Sequence, residues 1–152
     1  MKHYLLLSIL SLSSLLMFIS CDDENFEKFE LIEIESTGVN LSAPRGLTYY
    51  GQIGNAGGEI SLTAIGKNAS NGFISSILVG NFSYNVTDDD VKQPLPYTIC
   101  DEDWGKIEIV SRTPHITRLV LNENQTNNNI EYNLRFGGAY TVSQVVITQL
   151  SK

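Results

Sequence analysis

The sequence predicts an all-β domain built as a two-sheet sandwich, and three observations carry that expectation. From Phe29 onward, apolar residues recur at alternate positions over short stretches, the period of a half-buried strand. Glycine, asparagine and proline punctuate those stretches at the spacing of successive short strands. No long segment carries apolar residues at helical spacing, and no internal repeat points to a solenoid.

The first expected strand is Phe29 to Glu35, where Ile32 and Ile34 alternate with Glu33 and Glu35. Gly46 to Ile53 follows, and its adjacent Tyr49 and Tyr50 must point to opposite faces, so only one of them belongs to the core. Glu59 to Ile65 comes after a Gly57-Gly58 turn. Phe73 to Val79 and Asn81 to Thr87 flank Gly80, which is either a tight turn or a bulge in one long strand. Asp88 to Asp103 breaks the rhythm with Pro94, Pro96 and a concentration of acids, and is expected to be a long connection at one end of the sandwich. Lys106 to Val110, Ile116 to Leu121, Ile130 to Phe136 and Tyr140 to Gln149 complete the series. In Ile130 to Phe136, Ile130, Tyr132, Leu134 and Phe136 share one face while Glu131, Asn133 and Arg135 share the other. Gly137-Gly138 supplies the backbone freedom for a hairpin into the Val-, Ile- and Thr-rich last strand. Seven to eight strands at this spacing favour a sandwich over a closed barrel.

The amino terminus reads as an address. Lys2, Leu5-Leu6-Leu7 and an apolar, serine-dotted run through Ile19 have the charged start and hydrophobic middle of a secretory signal. The run is short for a membrane span and ends abruptly. Phe18-Ile19-Ser20-Cys21 resembles the lipobox of bacterial lipoproteins, in which the cysteine is acylated. Several acyl chains at ~0.8 kcal/mol per buried methylene hold a protein durably on a membrane. The expected organisation is therefore a signal peptide at 1–20, a lipidated acidic tether at 21–28 and one domain at 29–152. Acids crowd the stretch from Asp22 to Glu35, opposed only by Lys28, so the start of the mature chain is expected to be solvated and self-repelling. Acids directly after the cysteine resemble a surface-export signal of Bacteroidetes lipoproteins, whereas in enterobacterial lipoproteins an aspartate there implies inner-membrane retention. The expected location is the bacterial cell envelope, lipid-anchored to the outer membrane and surface-exposed.

The chain of 152 residues has a net charge of −7, and loss of the leader removes Lys2 but no acid, so the mature charge falls by one further unit. No basic stripe exists to displace counterions, which argues against a nucleic-acid partner. With Cys21 acylated, Cys100 is left as the one thiol, so no intrachain disulfide is available and stability must come from apolar packing.

Four stretches together resemble a known family. They are Gly57 to Asn68 (GGEISLTAIGKN), Trp104, Leu121 to Phe136 (LNENQTNNNIEYNLRF) and Val145 to Gln149 (VVITQ). Their order and spacing resemble the BACON-type immunoglobulin-like domains of Bacteroidetes lipoproteins across Leu47 to Gln149. Two departures stand out: Asn127 to Asn129 occupy the place where the family has an arginine soon after the turn, and the middle loop is enlarged. The resemblance implies an immunoglobulin-like two-sheet sandwich. It also implies carbohydrate or mucin binding, or a spacer role beside glycan-processing machinery, without catalysis.

A Cys100–His115 pair is the one conceivable nucleophile and base, but each fits better as a packed thiol and a turn residue. Glu59, Glu108 and Glu131 fall on strand faces, so they read as exposed sheet residues rather than a glycosidase pair. Asp88, Asp89, Asp90, Asp101 and Asp103 are hard oxygen donors at the ends of one loop, but they lack the alternating spacing and glycine of a calcium loop. No metal, cofactor or catalytic residue is expected. Sugar binding needs an aromatic face with polar groups beside it, and Tyr97, Trp104, Asp101 and Asp103 form the best such cluster in the sequence. Trp104 has the competing role of a buried inter-sheet tryptophan. The functional expectation is a non-catalytic envelope lipoprotein that binds a glycan or acts as a spacer; the alternative is an assembly subunit docking on a larger envelope protein complex.

If Cys21 is acylated, cells fed radiolabelled palmitate will label the wild-type chain and leave Cys21→Ala unlabelled. Equal labelling of the two would remove the anchor.

Overall fold

A computed structural model describes residues 29–152; the leader, Cys21 and the rest of the tether lie outside the described residues. The described chain folds as a two-sheet sandwich. In the six-stranded sheet, β11 (Thr141–Gln149) pairs with β10 (Ile130–Gly137), which leads outward to β5 (Ile74–Val79) and β6 (Phe82–Asn85). The other flank of β11 is shared by β1 (Glu30–Leu31) and β3 (Thr48–Ile53), both parallel to it. The five-stranded sheet runs β2 (Glu33–Thr37), β4 (Gly58–Ile65), β9 (His115–Leu121), β8 (Gly105–Arg112), β7 (Tyr97–Glu102), antiparallel throughout.

The two inner faces make one core. Ile60, Leu62, Ile107 and Leu119 from one sheet and Tyr132, Leu134, Val145 and Ile147 from the other are all 0% exposed. Of the two adjacent tyrosines, Tyr49 is buried and Tyr50 is exposed, as strand geometry requires. Gly80, with φ of 56°, makes a tight turn that pairs Val79 with Phe82, so the bulge alternative does not apply.

The strand count exceeds the expected seven to eight, for two physical reasons. The first strand breaks at Ile32, which lets β1 join one sheet and β2 the other. The segment from Asp88 to Asp103 is also more than a connection, since it holds a short helix, α1 (Asp88–Lys92), and the edge strand β7. Thr87 caps α1 reciprocally with Asp90: the Thr87 hydroxyl accepts from the Asp90 N–H, and the Asp90 carboxylate accepts from the Thr87 N–H at 2.8 Å.

Ile32 is fully buried at the point where the chain leaves its sheet, so its peptide groups need partners outside a ladder. Ser143 supplies both: its hydroxyl accepts from the Ile32 N–H at 3.0 Å and donates to the Ile32 carbonyl at 2.6 Å. The Tyr49 hydroxyl adds a second, longer donor to that carbonyl at 3.4 Å.

The opposite end of the sandwich is closed by side-chain amides. Gln149, 0% exposed, accepts from the Tyr132 hydroxyl at 2.7 Å and donates to the carbonyls of Asn122 and Asn55. Asn124 donates to the carbonyls of Asn128 and Leu150 and accepts from both the N–H and the hydroxyl of Thr126. Gly57 approaches the same place so closely that a Cβ would sit 2.3 Å from the Leu121 carbonyl oxygen, and its φ is +73°. The Gly-Gly, Asn-x-Thr and terminal Thr-Gln stretches that were conspicuous in the sequence thus meet in one closure.

Removing the Gln149 amide strands the buried Tyr132 hydroxyl and the Asn122 carbonyl, while the Asn55 carbonyl keeps the Asn124 N–H at 2.7 Å. Gln149→Ala should cost about 2–4 kcal/mol in urea unfolding, from three lost hydrogen bonds and a cavity. A loss below ~1 kcal/mol, the size of a typical surface substitution, would mean the closure is dispensable.

Candidate functional site

The four residues singled out in the sequence do not converge in space. Tyr97 opens β7 and Trp104 lies in the turn beyond its other end, with the strand from Tyr97 to Glu102 spanning about 17 Å. Trp104 is half-buried and stands edge-on to Phe82 and Tyr132, with ring centroids 5.9 and 5.5 Å away. Its indole therefore packs against one end of the core. Asp101 and Asp103 are exposed, and Asp103 contributes its backbone carbonyl to the Asn122 amide.

Tyr97 instead belongs to a polar knot around Asp90. The Asp90 carboxylate, on a residue only 6% exposed, accepts from the hydroxyls of Tyr97 at 2.9 Å, Tyr84 at 2.9 Å and Thr87 at 2.8 Å, besides the Thr87 N–H. Burial opposes its charge, but the Thr87, Tyr97 and Tyr84 donors together outweigh it and hold the carboxyl below its ordinary value. The two phenols are correspondingly raised by their bonds to Asp90. This knot ties β6, α1 and β7 together and leaves the carboxylate no free face for a ligand.

The other candidates also have structural partners. Burial pushes the Cys100 thiol up to about 11, and His115 points its Nε2 at the Ser70 carbonyl, 3.1 Å away. Glu108 is buried on the outer face of the five-stranded sheet, where Lys106 reaches one carboxylate oxygen at 2.7 Å and Arg118 the other. The Lys106 hydrogen bond, with the Arg118 fork, holds Glu108 below the usual carboxylate range against the cost of burial. Glu59 lies 3.7 Å from the same Arg118, and Glu131 sits on the other sheet. Among the described residues, no group of three His, Cys, Asp or Glu side chains is placed to hold a metal ion.

A ligand-sized groove lies elsewhere, on the outer face of the six-stranded sheet, with a volume of about 390 Å³. Phe29 and Leu47 line it beside β1 and β3, and Leu78 lines it from β5. Between them lie Gln144, Asn133, Arg135 and Ser76 from the three middle strands. Gln144 donates to Asn133 at 3.1 Å and Asn133 donates to Glu131 at 2.7 Å, which fixes a row of amides with free polar atoms. Phe29 is 52% exposed and Leu78 47%, and Tyr50 stands in register with Val146 and Asn133 on the same face. A second recess of about 320 Å³ shares Ser76 and Arg135 with the first and continues toward Asn85 and the Gly137-Gly138 turn.

This face escaped the sequence reading because alternation marks it only as the wet side of β10. A signal was present: Ile77, Leu78 and Val79 are three consecutive apolar residues in one strand, so the middle one must project away from the core. The Tyr49-Tyr50 pair makes the same statement on β3.

The Asp90 knot has a pH signature. A carboxyl depressed on folding stabilises above its unfolded value of about 3.9, and that stability disappears as pH falls through the lower folded value. Asp90→Asn should be less stable than wild type at pH 7, and the gap should close between about pH 5 and pH 2. A gap that stays constant in urea unfolding over that interval would show that the charge is not what the knot stabilises.

No family model matches the chain, and no curated protein matches it. Among solved structures it is similar to the NMR structure of a protein from Bacteroides thetaiotaomicron, with a TM-score of 0.53 and 14% sequence identity over 88% of this chain and 98% of that one. At that identity the likeness concerns the fold, and the fold that the two chains have in common is the two-sheet β-sandwich.

Proposed function

We propose that this protein is a non-catalytic, carbohydrate-binding lipoprotein of the bacterial envelope, and that it presents the outer face of its six-stranded sheet to the glycan. The groove carries this reading. Its walls are apolar, and its floor is a fixed row of amide and hydroxyl groups, the combination that suits a sugar's C–H faces and hydroxyl edges. The resemblance to BACON-type domains points the same way. The raised, buried thiol of Cys100 and the carbonyl-bound ring of His115 support the absence of nucleophilic catalysis.

The tether reading fits this geometry. Phe29, which follows the tether, lines the groove, and the eight residues from Cys21 to Lys28 reach at most ~28 Å when extended. A lipid at Cys21 would therefore hold the binding face close to the membrane, on an acidic stalk that an anionic surface repels.

Affinity electrophoresis of the purified chain through a panel of polysaccharides should show retardation by at least one. Leu78→Ala and Phe29→Ala should each weaken it roughly tenfold, because each removes apolar contact worth ~1.5 kcal/mol, while leaving urea unfolding unchanged. Free migration through every polysaccharide would sink the reading.

A second reading, docking on a larger envelope complex, draws on one observation. The six-stranded sheet ends on β6, Phe-Ser-Tyr-Asn, an edge without charge or proline, whereas the edges of the other sheet carry Glu33 and Glu35 on β2 and Asp101 and Glu102 on β7. On that reading Ser83→Pro would abolish co-purification of an envelope protein, and a pull-down unchanged by it would exclude strand addition.

A further inference from the structure

Resting on the carbohydrate-binding reading, we propose that the glycan is acidic and that Arg135 seats a carboxylate of the sugar. The inference starts from where the cations of this acidic chain are used. Lys67 pairs with Glu30, Lys92 with Asp89, Lys106 with Glu108, and Arg118 with both Glu108 and Glu59. Arg112 donates to the Gln93 carbonyl. Arg45, Arg112 and Lys152 also lack a carboxylate within ion-pair distance among the described residues, but of the cations so placed Arg135 is the one that lines the groove. It projects from the middle of the six-stranded sheet into the groove, it is exposed, and among the described residues it has no carboxylate within ion-pair distance.

Its surroundings are arranged for one anion. The register places Gln144 on one side of it and Ser76 on the other, then Thr48 beyond Gln144 and Asn85 beyond Ser76. At the ~4.8 Å spacing of neighbouring strands this row is about 19 Å long, with a guanidinium at its centre and uncharged donors and acceptors on both sides. The acid nearest on its own strand face, Glu131, is four residues away and is engaged by Asn133 at 2.7 Å. Arg135 also lines both recesses, so a chain of sugars crossing from the apolar groove toward Asn85 must pass over it.

A guanidinium is a planar fork that matches a carboxylate with two parallel N–H···O bonds. An exposed cation of this kind, left without an acid on a protein of net charge −7, calls for a negative group from outside. A single fork among neutral donors compensates one charge, which is what one carboxylate brings; a phosphate dianion would be half-compensated and repelled by the chain as a whole. The hydroxyl and amide row on either side fits the remaining hydroxyls of a uronic-acid sugar.

The test uses isothermal titration of the purified chain with oligosaccharides containing galacturonate, glucuronate or mannuronate. Each is compared with the same oligosaccharide after its carboxyl groups have been reduced to alcohols. At least one acidic member should bind about tenfold or more tightly than its reduced partner, as a charge-assisted bidentate contact requires. That preference should vanish in Arg135→Gln, survive in part in Arg135→Lys, and weaken with added salt. Urea unfolding of the two variants should match wild type, because Arg135 holds nothing in the fold. If the reduced sugars bind as tightly as the acidic ones, or if Arg135→Gln keeps the preference, the acidic assignment fails while carbohydrate binding stands. If no member of either series binds, the acidic assignment fails, while the carbohydrate reading stands or falls with the affinity electrophoresis.

Discussion

Every peptide group that enters this interior needs a hydrogen-bonding partner, and the places where strands leave their sheets are where that requirement is hardest to meet. The sandwich meets it with side chains. Ser143 and Tyr49 stand in for a ladder at Ile32, where the first strand crosses from one sheet to the other. Gln149 and Asn124 do the same at the opposite end, where carbonyls of Asn55, Asn122, Asn128 and Leu150 turn inward. Without the first clamp, the buried Ile32 N–H between β1 and β2 would lose its partner; without the second, the carbonyls of Asn122 and Leu150 after β9 and β11 would lose theirs. An uncompensated buried group costs about 1–3 kcal/mol, which is large against a domain's whole margin.

The two outer faces divide the polar work unequally. On the five-stranded sheet, Lys106, Glu108, Arg118 and Glu59 neutralise one another in a cross-strand ladder, and between the edges of the two sheets the Asp90 knot closes on itself with four donors. These groups are satisfied and have little to offer a partner. On the six-stranded sheet, the Gln144 amide is bound through its nitrogen only, Arg135 has no carboxylate against it among the described residues, and Phe29, Tyr50 and Leu78 stay exposed. A surface that keeps apolar area and polar capacity together is better suited to recognition than to stability.

The same contrast explains why the acidic segment misleads when read without coordinates. Asp88, Asp89 and Asp90 look like one cluster, yet burial separates them: Asp90 is a structural acceptor while its neighbours face solvent. Tyr97 and Trp104 look like a platform, but one is bound to Asp90 and the other to the rings of Phe82 and Tyr132. Thr87-Asp88-Asp89-Asp90 carried a helix-start signal, with Asp in the role that Glu or Gln more often takes. β7 was harder to see, because its proline-rich approach and acidic end mask a short edge strand whose pairing with β8 shifts register between Thr98 and Cys100.

Alternation and turn chemistry by themselves determined the class of fold, the core face of β10 and the hairpin at Gly137, because each depends on neighbours within a few residues, whereas at Gly80 they left turn and bulge both open. The tertiary structure decided what distance along the chain hides. It showed that Gly57, Asn124 and Gln149 form one closure, that the first strand is shared between sheets, and that Phe29, Leu78 and Arg135 face one groove. Those juxtapositions follow from strand order and register, which are fixed by long-range pairing and packing rather than by any local run of residues.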